Sequence, residues 1–262
     1  LVAVGNTVMN TKAIYNEDCR VTMSKMPDNF VDLTVTSPPY DNLRTYNNDI
    51  DKTWNEDTWK QIIKELYRVT KQGGVVVWVV GDATINGSET GTSFKQALYA
   101  TECGFNLHDT MIYQKTGFKN PSNFRYHQTF EYMFVFVKGK PKTFNPIVDR
   151  ENKYKGIHGG ERSYRKDKGK RFNIWLYANG GNNTSKDDVF AHPAVFPEKL
   201  AKDHIISWSN PGDLVYDPFM GSGTTAKIAM LHNRNYIGSE ISKEYCDIAN
   251  ERIENTKGLL WR

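Results

Sequence analysis

Residues 31–36, Val-Asp-Leu-Thr-Val-Thr, are a β-branched, largely apolar run that stops abruptly at Ser37-Pro38-Pro39-Tyr40. Such a run predicts a strand, and two successive prolines end it, because proline fixes φ and removes an N–H donor. Trp59, Ile62, Ile63, Leu66 and Val69 then recur at helical spacing, and this helix is expected to stop at Gly73-Gly74. Residues 75–80 are apolar at every position, as in a strand covered on both faces. A second helix carries Phe94, Ala97, Leu98 and Thr101, with its apolar positions expected in the core. Strands near 107–113 and 131–138 close this half. Strands alternating with helices predict an α/β fold: an open, mostly parallel twisted sheet with helices on both faces.

From 139 to about 190 the periodicity disappears, and lysines, glycines and asparagines dominate around isolated aromatics. A stretch this long is read as an insertion in a single 1–262 domain. Order resumes at Ala191-His192-Pro193-Ala194-Val195-Phe196-Pro197, followed by a helix that turns Leu200, Ile205 and Trp208 inward. Leu214-Val215-Tyr216 reads as a buried strand, 226–231 as a helix, 235–240 as another strand, and a last helix carries Tyr245, Ile248, Ala249 and Ile253.

Between the strand at 214–216 and its helix lies Asp217-Pro218-Phe219-Met220-Gly221-Ser222-Gly223-Thr224-Thr225. A Gly-x-Gly turn there lets backbone pass close to a ligand, and the helix start offers unpaired N–H groups. Glu240 ends the next strand, 23 positions after Asp217, near the spacing at which an acid holds ribose hydroxyls in nucleotide folds. The Pro-Pro pair frees the carbonyls of Ser37 and Pro38 to face a pocket at a strand's carboxyl end, where open α/β sheets bind ligands.

Charge adds a partner to this picture. The total is +4, but residues 138–171 hold twelve Lys and Arg against four Asp and Glu, a local +8 that leaves −4 for the rest. A basic block on a mildly acidic body suits a polyanion; the bland alternative is a solvated lysine-rich loop. Three scattered cysteines fit neither a disulfide framework nor a zinc spacing, and no metal site is expected. No stretch is apolar enough to span a bilayer and no signal-peptide pattern opens the chain, so a reducing cytoplasm is expected.

Taken together, Asp217-Pro-Phe-Met-Gly-Ser-Gly-Thr-Thr and the upstream Thr36-Ser37-Pro38-Pro39-Tyr40 closely resemble the exocyclic-amino DNA methyltransferases. The catalytic motif comes first and the cofactor motif last, the order of the circularly permuted β group, with a Rossmann-like fold. Further matches are Tyr15-Asn-Glu-Asp18-Cys19, Lys71-Gln-Gly-Gly, Glu131-Tyr132…Lys138, His192–Pro197 and Ile237-Gly-Ser-Glu240…Tyr245. The resemblance implies S-adenosyl-L-methionine as cofactor and double-stranded DNA as sequence-specific partner. It also implies a bacterial or phage source, and leaves a homodimer and a cognate restriction endonuclease open. Asp217 with Phe219, Gly221, Ser222, Gly223 and Thr224 would hold the methionine part and Glu240 the ribose. Asp18, with Cys19 beside it, would meet the adenine amino group; His192, Phe196 and Pro197 would line the far side. The basic insertion falls where the family keeps its target-recognition region.

Ser37, Pro38, Pro39 and Tyr40 would carry the chemistry, with Ser37 also bordering the cofactor. An exocyclic amine is a poor nucleophile because its lone pair is delocalised into the ring. Acceptors for its hydrogens, the Ser37 hydroxyl and the Pro38 carbonyl, would make the nitrogen more tetrahedral. Tyr40 would stack on a base flipped from the helix, worth about 1–3 kcal/mol against an unstacking cost of a few kcal/mol. Ser before Pro-Pro and the His-Pro-Ala-Val-Phe-Pro segment favour cytosine N4 over the alternative, adenine N6. A reading of another class is a nucleic-acid-binding protein with a vestigial cofactor pocket.

Overall fold

The computed structural model describes residues 2–4, 7–39, 54–118, 123–153, 156–157, 164–178 and 197–260. Eight strands form the central sheet: β1 (Lys12–Tyr15), β2 (Val31–Thr36), β3 (Thr70–Val80), β4 (Asn106–Lys115), β5 (Phe130–Val137), β6 (Ile174–Tyr177), β7 (Leu214–Asp217) and β8 (Asn235–Ser239). Their spatial order is β6-β4-β5-β3-β2-β7-β8-β1. Neighbours pair in parallel except on the two sides of β5, which runs against the rest. The expected open, mostly parallel sheet is therefore the observed one.

Helices cover both faces. On one lie α1 (Cys19–Ser24), α2 (Glu56–Val69) and α3 (Thr92–Glu102), packing Met23, Ile62, Leu66 and Ala97 onto Trp78, Phe134 and Tyr216. On the other lie α4 (Glu198–Trp208), α5 (Thr224–Leu231) and α6 (Lys243–Leu260), which bury Leu200, Ala226 and Ile253 against Val35, Val77 and Val215. Strands covered on both faces can be apolar throughout, as 75–80 are.

The sequence reading needs correction in two helices. α2 ends at Val69, and Gly73-Gly74 lie inside β3. Thr70 takes the cap position, and the glycines serve close packing: a Cβ on Gly73 would come 2.7 Å from the Lys142 Cβ, and one on Gly74 3.0 Å from the Asp32 carbonyl. In α3, Phe94 and Leu98 are 48% and 63% exposed, and the buried positions are Ser93, Gln96, Ala97 and Ala100. The fully apolar sheet explains this, since the buried Trp78 indole needs an acceptor and Gln96 supplies it at 2.8 Å.

The stretch 139–190 is not uniform. Two short antiparallel pairs, Val148–Glu151 with Lys168–Lys170 and Gly156–Ile157 with Tyr164–Arg165, stand apart from the sheet. β6, in contrast, is the parallel edge strand of the main sheet and buries Trp175 and Tyr177 in its core. Lys138 is likewise buried, donating to the Tyr67 carbonyl at 2.8 Å, and Arg171 pairs with Asp203 at 2.7 Å and with Asp149. Part of the positive block is thus spent inside the fold.

Candidate functional site

The chain leaves β2 toward β3 on one side, and leaves β7 toward β8 on the other. Between β2 and β7 the sheet therefore has a switch point, with a crevice outside the carboxyl ends of the two strands. The last residue of β2 is Thr36 and that of β7 is Asp217. They meet there, with the Thr36 hydroxyl donating to Asp217 Oδ1 at 2.6 Å. Ser37 and Pro38 follow directly, Pro38 buried and Ser37 half-buried.

Asp217 is 1% exposed and accepts further hydrogen bonds from the Phe219 N–H at 3.0 Å and the Thr225 hydroxyl at 2.7 Å. Burial pushes its carboxyl up to about 6, against the pull of these three donors. Its partners hold the Gly-rich turn as much as the turn holds them. Gly221 and Gly223 both sit at positive φ, 53° and 85°, and Gly223 is the N-cap of α5, with no side-chain cap bond.

Glu240, just beyond β8, closes the turn from the other side. Its Oε2 accepts from the Gly221 N–H and its Oε1 from the Ser242 N–H, each at 2.8 Å. Burial raises its carboxyl, the two N–H groups oppose that, and the charge of Asp217 adds to the rise. Two buried carboxylates that each disfavour ionisation leave a negative potential that a cationic ligand relieves. A sulfonium cofactor fits that donor set.

Asp18 and Cys19 join through β1. The Glu240 N–H donates to the Tyr15 carbonyl at 3.0 Å, and Asn16 Nδ2 donates to the Glu240 carbonyl at 2.8 Å. Asp18 is the N-cap of α1, accepting from the Arg20 N–H at 2.8 Å, and its other oxygen pairs with the Arg20 guanidinium at 2.7 Å. Burial disfavours the ionised form, but the Arg20 bonds outweigh it and hold the carboxyl below its usual range. Arg20 makes four contacts to the two Asp18 oxygens, so a ligand contact there requires the Arg20 side chain to give way. Cys19 is buried, and burial together with the Asp18 charge pushes its thiol up, so it packs rather than reacts.

Phe219 is half-buried and meets Trp54 and Trp78 edge-on, at centroid separations of 5.5 and 6.1 Å. Ser222 and Thr224 are buried in the turn, and Pro197 is the buried N-cap of α4. Tyr40, His192 and Phe196 lie outside the described residues. The structure thus gathers Ser37, Pro38, Pro39, Asp217, Phe219, Gly221–Thr224 and Glu240 at one sheet end, with Asp18 and Cys19 one bonded link away. Trp54 was not singled out from the sequence, whereas Thr36, Thr225 and Asn16 stand within the quoted motifs, without the bonds they make here.

Comparison with known proteins gives a consistent result. Residues 31–251 match the family model described as DNA methylase. The orphan methyltransferase M.BamHII of Bacillus amyloliquefaciens is 60% identical over 242 residues, covering 86% of this chain and 89% of that one. Among solved structures, PvuII DNA methyltransferase (cytosine-N4-specific) is 23% identical with a TM-score of 0.68, covering 94% of this chain and 90% of that one. M1.HpyAVI in complex with SAM is 24% identical with a TM-score of 0.61, covering 92% and 98%. At these identities the two structures speak for the fold alone.

Proposed function

The chain belongs to the DNA methylase family, an S-adenosylmethionine-dependent DNA amino-methyltransferase, and from that premise we propose that it methylates cytosine N4 through Ser37, Pro38, Pro39 and Tyr40. The observation that carries this is the Thr36–Asp217 hydrogen bond, which brings the Ser-Pro-Pro segment to the side of the Gly-rich turn. The cofactor supplies an electrophilic methyl group. The Ser37 hydroxyl and Pro38 carbonyl accept the two amino hydrogens, holding the nitrogen lone pair toward that methyl group. Tyr40 offers its ring to the flipped base. Most of the rate comes from positioning, since serine is a weak base.

In the same reading Phe219, Gly221, Ser222, Gly223 and Thr224 hold the methionine part of the cofactor, and Asp217 fixes their turn from behind while supplying negative potential. Glu240 receives the ribose hydroxyls. Asp18 and Cys19 border the adenine, and His192, Phe196 and Pro197 line the far side. Residues of 139–190 outside β6 read the DNA target.

Cytosine is favoured by Ser37 standing before Pro-Pro, although adenine N6 requires the same two acceptors. The deciding experiment methylates mixed-sequence DNA with a labelled methyl donor, digests it to nucleosides and weighs the product. N4-methylcytosine is expected. N6-methyladenine would move the assignment, and label on RNA alone would end the DNA reading.

A homodimer is supported by one sheet face. Phe94, exposed like Leu98 on the same helix, meets Tyr132 edge-on at 5.3 Å, and the exposed Ile174 of β6 continues that face through Ile112. Light scattering tests it, and a monomer at all concentrations removes it. The setting is a bacterial cytoplasm, where methylation guards DNA against a cognate restriction endonuclease. The relative M.BamHII is named an orphan enzyme, which makes methylation without such a nuclease the alternative.

A further inference from the structure

Arg252 lies on α6, outside every motif, yet only 5% of it is exposed. Its Nη1 donates to the Ser222 carbonyl and to the Thr224 hydroxyl, both at 3.1 Å, and its Nη2 donates to Glu198 Oε1. Glu198 opens α4 immediately after Pro197, and the same oxygen takes the Lys227 ammonium of α5 at 3.0 Å. One arginine therefore ties three pieces together: the Gly221–Thr224 turn, the start of α4 and the face of α6.

The neighbouring position on that face of α6 reinforces the arrangement. Ala249 stands three residues before Arg252, on the same side of the helix. A Cβ on Gly223 would come within 2.9 Å of the Ala249 Cβ, so the turn already rests on α6. Gly221 is held from the opposite side by the Glu240 carboxylate at 2.8 Å. The turn is thus held at Gly221 by the Glu240 carboxylate and at Ser222 and Thr224 by the Arg252 guanidinium.

We propose that Arg252, anchored by Glu198, is a positioning residue for the cofactor: it fixes the 221–224 turn in its binding conformation and couples that turn to the start of α4. This rests on the reading that the turn holds the methionine part of S-adenosylmethionine. The physical case is that a left-handed glycine pair has several accessible backbone states. Bonds from a planar, forked donor to a carbonyl and a hydroxyl two residues apart select one of them. A lysine keeps the charge, but its one nitrogen cannot stand both where Nη1 meets the turn and where Nη2 meets Glu198, so charge and geometry can be separated.

The test compares wild type, Arg252→Gln, Arg252→Lys and Glu198→Gln by calorimetric titration with S-adenosylmethionine, steady-state kinetics and thermal melting without cofactor. Arg252→Gln is expected to raise the cofactor Kd and KM by about tenfold, the order expected for losing a charge-assisted hydrogen bond. The KM for DNA and the kcat at saturating cofactor should stay within about twofold, since their contacts are untouched. Arg252→Lys should recover the melting temperature more fully than the cofactor affinity, and Glu198→Gln should weaken the cofactor to a smaller degree. A lower melting temperature with unchanged cofactor Kd in Arg252→Lys and Glu198→Gln would overturn the proposal and leave Arg252 a brace between helices. If Arg252→Gln does not fold, those two variants carry the same decision. Failure of wild type to bind the cofactor would instead overturn the reading of the turn, and the proposal with it.

Discussion

The hydroxyl of Thr36 donates to the carboxylate of Asp217 at 2.6 Å, joining the carboxyl ends of two neighbouring strands. Every polar atom in that bond is buried, so deleting the donor leaves a charged acceptor short of a partner. Thr36→Val keeps the β-branch and removes the hydroxyl. It is expected to destabilise the fold by about 1–3 kcal/mol. It should also raise the Asp217 carboxyl further above its present value of about 6 and weaken cofactor binding at neutral pH. Urea unfolding and cofactor titration check this, and an unchanged result in both would mean the bond couples nothing.

The raised Asp217 carboxyl sets a pH dependence with a definite sign. Its ordinary value is 3.8 and the folded value is about 6, because burial disfavours the charge. Between these values the folded chain keeps a proton that the unfolded chain has released, so this group's contribution to stability is lost as pH rises through 6. A shift of this size corresponds to about 3 kcal/mol. His204 works in the opposite sense: burial pushes its imidazole down to about 3, so its contribution is lost as pH falls below 6.5. Melting curves therefore mix the two, and cofactor affinity is the cleaner readout. A cationic cofactor prefers ionised Asp217, so its Kd should rise about tenfold per pH unit below 6, with proton release on binding. Asp217→Asn should flatten that profile. An equally steep profile in the variant would assign it to another group.

The motifs were legible because each lies where a strand must stop. Val31–Thr36 is halted by Pro38-Pro39, and Leu214–Asp217 runs into a turn that only glycines allow at positive φ. The α3 face was misread because apolar spacing shows which positions are alike, not which way they point. There, Phe94 and Leu98 face outward while Gln96 goes in to satisfy Trp78. Arg252 was invisible for a related reason: a charged residue on a helix reads as solvent-facing until its acceptors, from distant parts of the chain, are known. β6 escaped because its four residues alternate exposed and buried inside a basic stretch with no other pattern.

Some cations of the basic block hold the fold, and the proposed DNA contacts fall to the exposed remainder. Arg171 pairs with buried Asp203 and stacks over Trp175 at 5.3 Å; since Asp203 keeps Lys199 and the Tyr177 hydroxyl, Arg171→Ala should cost about 1–2 kcal/mol of stability. Lys166, Lys168 and Lys170 are exposed. Each phosphate contact contributes about 0.9 to the slope of log affinity against log salt, so the double change Lys166→Ala, Lys168→Ala should lower that slope by nearly 2 if both reach phosphates. Melting temperature should barely move. An unchanged slope would return these lysines to a solvated loop.

Ser37 separates chemistry from binding. In the proposed reading its hydroxyl meets the target amine, while the cofactor is left to the Gly221–Thr224 turn and Glu240, which keep their bond to each other without it. Ser37→Ala is therefore expected to lower kcat by about a hundredfold, the order seen when one preorganised hydrogen-bonding group is lost from an active site. The Kd for S-adenosylmethionine should stay within about twofold, since an interaction realised only in the transition state affects turnover and not ground-state affinity. Single-turnover methylation with cofactor titration distinguishes the two. A variant that loses cofactor affinity as steeply as turnover would place Ser37 in the cofactor's cradle and leave the amine to the Pro38 carbonyl.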